Sequence, residues 1–182
     1  ASRSVGGRPV RITLPREQDM AGAPRRIGLE ADIKIGADRE GIIRAAEMTY
    51  LLDCGAYADN SPYMAKAIAV DCTGPYNIEN VSCDSLCVYT NRTYATSFRS
   101  FAHESYTFCI ERAIDILARR CGMDPLELRL KNAIRPGNLT PTGVECTESI
   151  IGNLPECLNR VRALSGWEGG KAVRIKDDTV RA

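Results

Sequence analysis

The apolar positions change period along the chain, and each change marks an element. Val10-Arg11-Ile12-Thr13-Leu14 alternates apolar and polar residues, which predicts a short strand near 9–14. Pro15-Arg16-Glu17-Gln18-Asp19-Met20 and the Gly22 to Pro24 stretch interrupt that pattern and predict an irregular connection. Leu29, Ala31, Ile33 and Ile35 then share one face of a strand over 28–36. A turn at Ala37-Asp38-Arg39-Glu40-Gly41 leads into a long apolar run over 42–58, so the two segments predict a hairpin, with Gly55 free to bend or bulge the second strand. Ser61-Pro62 predicts a short helix to about Val70, ended by Gly74-Pro75. Val81, Cys83, Ser85, Cys87 and Tyr89 alternate again and predict a strand over 80–91.

From 103 to 121 the period becomes helical. Tyr106, Cys109, Ile110, Ala113, Ile114, Leu117 and Ala118 form an apolar stripe opposite Glu111, Arg112, Asp115, Arg119 and Arg120. Gly122 stops this helix, Asp124-Pro125 caps and opens another over 125–133, and Leu154-Pro155 opens a last one over 155–164. The pattern predicts an α+β fold: a small, mostly antiparallel sheet, including the 9–14 strand, packed by the amphipathic helix 103–121. The domain spans 7–166, residues 1–6 read as vector-derived or linker sequence, and 167–182 reads as a mobile tail.

Composition excludes several classes of function. The 182 residues carry 24 basic and 23 acidic side chains, a net charge of +1, so no long-range field selects nucleic acid or acidic lipid. No apolar run approaches the roughly 20 residues that span a bilayer. Eight cysteines without a Cys-x-x-Cys pair read as reduced core residues, which implies a reducing, cytoplasmic setting. Cys109 and Cys121 are expected to be buried on the helix stripe, and Cys83 and Cys87 to share one strand face.

The chemistry-bearing stretch is Ser97-Phe98-Arg99-Ser100-Phe101-Ala102-His103, just before the long helix. A helix start offers backbone N–H groups, Arg99 adds a planar donor fork, and Phe98 and Phe101 supply flat apolar faces. The competing reading makes both phenylalanines core anchors. His103 is the single histidine; Thr107 stands where a His-Glu-x-x-His zinc helix needs its second ligand, so no metal site is assigned. There is no Gly-x-Ser-x-Gly elbow and no Gly-x-Gly-x-x-Gly, and no carboxylate pair can be nominated as acid and base, so no catalytic residue is assigned within the chain.

Several blocks together resemble one family. They are Gly7-Arg8-Pro9-Val10-Arg11 with Arg16-Glu17-Gln18-Asp19-Met20, Gly74-Pro75-Tyr76-Asn77-Ile78-Glu79-Asn80, Asn91-Arg92-Thr93-Tyr94-Ala95-Thr96-Ser97-Phe98-Arg99-Ser100-Phe101, and Gly122-Met123-Asp124-Pro125-Leu126-Glu127-Leu128-Arg129-Leu130-Lys131-Asn132 with Pro141-Thr142-Gly143. Over about 7–164 the chain resembles the large, molybdopterin-binding subunit of the xanthine dehydrogenase and aldehyde oxidase family. The resemblance implies a parent molybdenum hydroxylase, an oxidoreductase acting on an N-heterocycle or aldehyde. Its molybdopterin-type cofactor would be served by iron–sulfur clusters and FAD on other domains or subunits. It implies that Phe98, Arg99 and Ser100 lie at the cofactor and that Phe101 packs against substrate. The family carries glycine where Ser100 stands, and the region 61–72 offers only Lys66 in place of the arginine of purine-oxidising members, so a xanthine substrate is not implied. As an internal fragment the chain is expected to bind no cofactor and to be inactive alone. Its expected partners are the remaining molybdopterin-binding domains, the iron–sulfur and flavin units and a small-molecule substrate, with self-association through exposed apolar surface. The alternative is a non-catalytic scaffold or interaction domain of the same ancestry.

Overall fold

The computed structural model describes residues 1–167 together with the backbone of Val173–Lys176 and Thr179–Arg181. After a single turn of 3-10 helix at Ser2–Val5 come α1 (Arg16–Gly22), β1 (Arg25–Arg26), β2 (Gly28–Ala37), β3 (Ile43–Gly55), α2 (Ser61–Val70), β4 (Asn80–Tyr89) and β5 (Ala95–Thr96). The helices α3 (His103–Arg120), α4 (Pro125–Asn132), α5 (Glu148–Ile151) and α6 (Leu154–Ser165) follow, then the short strands β6 (Val173–Lys176) and β7 (Thr179–Arg181). The architecture is α+β. Among the described residues no helix is long and apolar enough to cross a membrane.

The central sheet has the order β2-β3-β4. β2 and β3 form the expected antiparallel hairpin, with Gly28 opposite Asp53 and Ile35 opposite Ala46. β4 joins the other side of β3 in parallel, with Ala45 opposite Asn80 and Leu52 opposite Cys87. A parallel neighbour cannot be reached by a tight turn, and α2 with the loop after it supplies the crossover. Gly55 lies where the β3–β4 register shifts, at φ 72°, and a Cβ there would collide with the Thr93 carbonyl, so the expected irregularity is present and requires glycine.

β3 alternates so that Ala46, Met48, Tyr50, Leu52 and Cys54 are buried on one face. α2 covers that face near β4 with Met64 and Ile68, and α3 covers it near β2 with Ile110 and Ile114, all four fully buried. The hydroxyl of Tyr50 sits in this core, where burial raises its pKa far above the usual phenol value.

Two expectations fail at the N-terminal end. Residues 9–14 form no strand: Val10, Ile12 and Leu14 are exposed, because Pro9 and Pro15 flank the segment and no described strand pairs with it. Arg16-Glu17-Gln18-Asp19-Met20, expected to be irregular, forms α1 behind Pro15, whose carbonyl accepts the Asp19 N–H at 3.0 Å. These are mostly straight-chain, helix-favouring residues, and local propensity decides where no core intervenes.

All eight cysteines are free. Cys54, Cys72 and Cys146 are buried and Cys83, Cys87 and Cys109 half-buried, as core residues should be. Cys121 is exposed, contrary to expectation, because α3 ends at Arg120 and the chain turns through left-handed Gly122, carrying Cys121 off the stripe. Cys157 on α6 is also exposed. Apart from Trp167 and the backbone of β6 and β7, the expected tail over 167–182 lies outside the described residues.

Candidate functional site

The loop joining β5 to α3 is anchored at its start by a short parallel ladder, Arg25 beside Ala95 and Arg26 beside Thr96. The Thr96 hydroxyl bonds the Asp59 carboxylate, and the buried Ser61 hydroxyl donates to the Ala95 carbonyl at 3.4 Å. Beyond this anchor the backbone turns sharply. The Phe101 N–H donates to the Phe98 carbonyl at 3.0 Å, and Ser100, Phe101 and Ala102 follow one another in the left-handed region at φ 87°, 56° and 68°. A non-glycine residue held there costs on the order of 1–3 kcal/mol, so three in succession persist only because their surroundings over-determine them.

Two clamps do this. On one side the Arg26 guanidinium lies 4.7 Å from the Phe98 ring centroid, donates to the Arg99 carbonyl at 3.4 Å and pairs with Glu104. On the other, His103 sets Nδ1 2.9 Å from the Ser100 carbonyl and Nε2 2.9 Å from the Asp71 carboxylate, its ring edge-on to Tyr106 at 5.3 Å. Burial by itself lowers the His103 pKa, but the bonds to Asp71 and to Ser100 outweigh it and leave the group above the ordinary histidine value. The second Glu104 oxygen is buried without a partner among the described residues.

The clamped loop presents donors outward. Phe98, Arg99 and Ser100 are exposed, while Phe101 is half-buried with one side against the hydrophobic core. Among the described residues the Arg99 guanidinium and the N–H groups of Arg99, Ser100 and Ala102 find no acceptor. Ala102 also serves as the N-cap of α3 without a capping side chain; the Ser100 carbonyl accepts the His103 N–H at 3.0 Å and the Ala102 carbonyl the Ser105 N–H at 3.1 Å, and the Glu104 N–H of this turn has no acceptor among the described residues. The donor set is nitrogen and hydroxyl, suited to phosphate, oxo or heterocyclic acceptor atoms rather than to direct ligation of a metal. Beyond Asp71 opens a cavity of about 370 Å³, whose lining includes Thr73, Tyr106, Thr140 and Thr142; residues 98–101 do not line it.

The structure therefore brings all four sequence-named residues, Phe98, Arg99, Ser100 and Phe101, into one turn, three of them outward and Phe101 partly inward. Sequence reasoning missed Arg26 and Asp71, the residues that hold the turn. Arg26 lies in a strand of two residues and Asp71 just past a helix end, and no local pattern singles out either.

Residues 1–133 match the family model of the molybdopterin cofactor-binding domain. The chain belongs to this family. It is 36% identical over 135 residues to a probable xanthine dehydrogenase subunit from Bacillus subtilis, covering 74% of this chain and 18% of that protein. It is 33% identical over 156 residues to the aldehyde oxidoreductase of Megalodesulfovibrio gigas, covering 86% of this chain and 17% of the relative. The solved structure of aldehyde oxidoreductase from Desulfovibrio gigas superposes with a TM-score of 0.81 at 31% identity, over 91% of this chain and 18% of that one. The resemblance to the xanthine dehydrogenase and aldehyde oxidase family is thus borne out. The chain spans less than a fifth of these relatives.

Proposed function

We propose that this chain is the part of a molybdenum hydroxylase that offers the 98–101 turn to the pterin cofactor, within a parent oxidoreductase acting on an aldehyde or an N-heterocycle. The observation that carries the reading is the outward array of unpaired donors, the Arg99 guanidinium and the Arg99, Ser100 and Ala102 amides, on a backbone held in a strained conformation. Such an array fits the phosphate and polar ring edges of a pterin, and family membership supplies that ligand class. When bound, the cofactor supplies the redox chemistry.

This chain's own residues bind and orient. Arg99 holds acceptor atoms in its planar fork, the Ser100 amide and hydroxyl add donors, and Phe98 shields the turn while Arg26 lies over its other face. Phe101 keeps its free side toward substrate, where a flat face orients a flat ring. Electrons leave through iron–sulfur and flavin groups on other domains or subunits, and the remaining molybdopterin-binding domains close the site. Eight unpaired cysteines, six of them buried or half-buried, support a cytoplasmic parent. Because the chain is a small share of its relatives' length, alone it is expected to hold no stoichiometric molybdenum and to turn over nothing, which metal analysis and dye reduction check.

The deciding experiment is made on the parent holoenzyme. Loss of a charge-assisted hydrogen bond is worth about 1.5–3 kcal/mol, so Arg99→Ala is expected to lower molybdenum content, or kcat for every substrate, by roughly tenfold or more. Phe101→Ala should instead change the preference for flat aromatic over small aliphatic substrates. Full molybdenum content with unaltered kcat in Arg99→Ala would overturn the reading.

A further inference from the structure

His103 faces two acceptors at once. Its Nδ1 lies 2.9 Å from the Ser100 carbonyl oxygen and its Nε2 2.9 Å from an Asp71 carboxylate oxygen. Neither oxygen has a proton to give, so both ring nitrogens must donate, and only the imidazolium carries both protons. We propose that His103 is a positioning residue of the 98–101 turn: in its protonated form it straps the Ser100 carbonyl to Asp71, and on losing its proton it releases one of them. The proposal rests on the reading of this turn as the cofactor-binding element.

The strap acts at the strained point of the chain. Ser100 begins the run of three left-handed residues, and its carbonyl also accepts the His103 N–H at 3.0 Å, so the imidazole and its own backbone grip the same oxygen. Asp71 stands just past the end of α2 and is itself exposed, which ties the turn to a second element of the core. In the neutral imidazole one nitrogen turns a lone pair toward an acceptor oxygen. That contact becomes repulsive, and either the turn or Asp71 must move.

The charged and titratable neighbours have definite places. Asp71 faces the ring from the segment after α2, and Tyr106 lies against it from α3 with its pKa raised by burial. Glu104 on α3 is engaged by Arg26 of β1, and Arg99 in the turn points to solvent. The opposing influences on His103 itself, burial lowering its pKa and the two hydrogen bonds raising it, leave an upward shift, as the strap requires.

The test uses the 182-residue chain, whose single histidine gives one set of imidazole signals in nitrogen-15 NMR. The expected midpoint lies above 6.5, with both nitrogens protonated below it, and Asp71→Asn shifts it downward. Above the midpoint, exchange of the two hydrogen-bonded amides of the turn, Phe101 and His103, corrected for its intrinsic pH dependence, should quicken about fivefold, what an exposed ion pair at the upper end of the usual range supplies. His103→Gln should show the fast exchange at every pH, while the amide of Leu128 in the buried core is unaltered in both variants. A wild-type midpoint at or below 6.5, or exchange at the Phe101 and His103 amides that ignores the titration, overturns the strap, and both are read without any variant. The two readings separate: an Arg99→Ala parent that keeps both its molybdenum and its kcat sinks the cofactor reading and leaves the strap standing. A flat exchange profile does the reverse.

Discussion

The starts of α3 and α4 solve the same problem in opposite ways. Both helices begin with N–H groups that lack intrahelical partners. At α4, Asp124 accepts the N–H groups of Leu126 and Glu127 at 2.9 and 3.0 Å, Pro125 takes the first helical position, and Trp167 donates its indole N–H to the same carboxylate at 3.1 Å. That helix start is sealed. At α3 the cap is Ala102 in the left-handed region, without a side-chain acceptor, and the preceding residues are strained and turned toward solvent. On the proposed reading, the contrast separates stability from binding: the side-chain-capped start of α4 secures the fold, whereas the turn before α3 keeps the Arg99, Ser100 and Ala102 amides for another molecule.

The sealed side should show the largest losses. Asn132, at the end of α4, is buried; its Oδ1 accepts the Ile43 N–H at 2.8 Å and its amide donates to the Gly41 and Leu128 carbonyls at 2.8 Å each. Asn132→Ala orphans two or more buried backbone groups at about 1–3 kcal/mol each, so a loss of about 3 kcal/mol in denaturant unfolding is expected. A loss below about 0.5 kcal/mol would show that water enters and that the α4 region is not sealed. Asp124→Ala removes the cap and the Trp167 acceptor together, and should cost about 1.5 kcal/mol by the same measurement.

The open side should respond in the other direction. Ser100→Gly relieves a left-handed residue and is expected to stabilise the chain by about 1 kcal/mol, raising Tm, since Ser100 is exposed and buries little. If that variant melts lower than the wild type, the turn is not strained and the comparison fails. The smallest effect is in the pH dependence. The folded pKa of His103 is raised, so its contribution is fully present below the unfolded value near 6.5 and disappears as pH rises through the folded value. With side chains 36% and 50% exposed, the pair with Asp71 is screened, and Asp71→Asn should remove at most about 1 kcal/mol, seen at pH 5.5 and absent at pH 8.5. A difference between wild type and variant that grows with pH would contradict that sign.

The sequence by itself determined the elements whose information is local. The hairpin of β2 and β3, the stripe of α3 and the capped start of α4 each follow from a period or a short motif, because the residues that cause them are neighbours along the chain. It also named the 98–101 turn, since a donor-rich loop before an amphipathic helix is a contiguous signal and the surrounding blocks match a known family. Only the tertiary structure decided the rest. The 9–14 segment alternates like a strand, yet a strand exists only where another supplies hydrogen bonds, and none of the described strands does. β4 runs parallel to β3 because α2 carries the chain across the sheet before it returns. Arg26 and Asp71 reach the turn from 73 and 32 residues away, measured from Arg99 and His103. No window of sequence contains both a strained loop and the distant charges that hold it. The loop was therefore legible as chemistry, and its conformation was not, because left-handed backbone at three non-glycine residues is imposed by the packing around them.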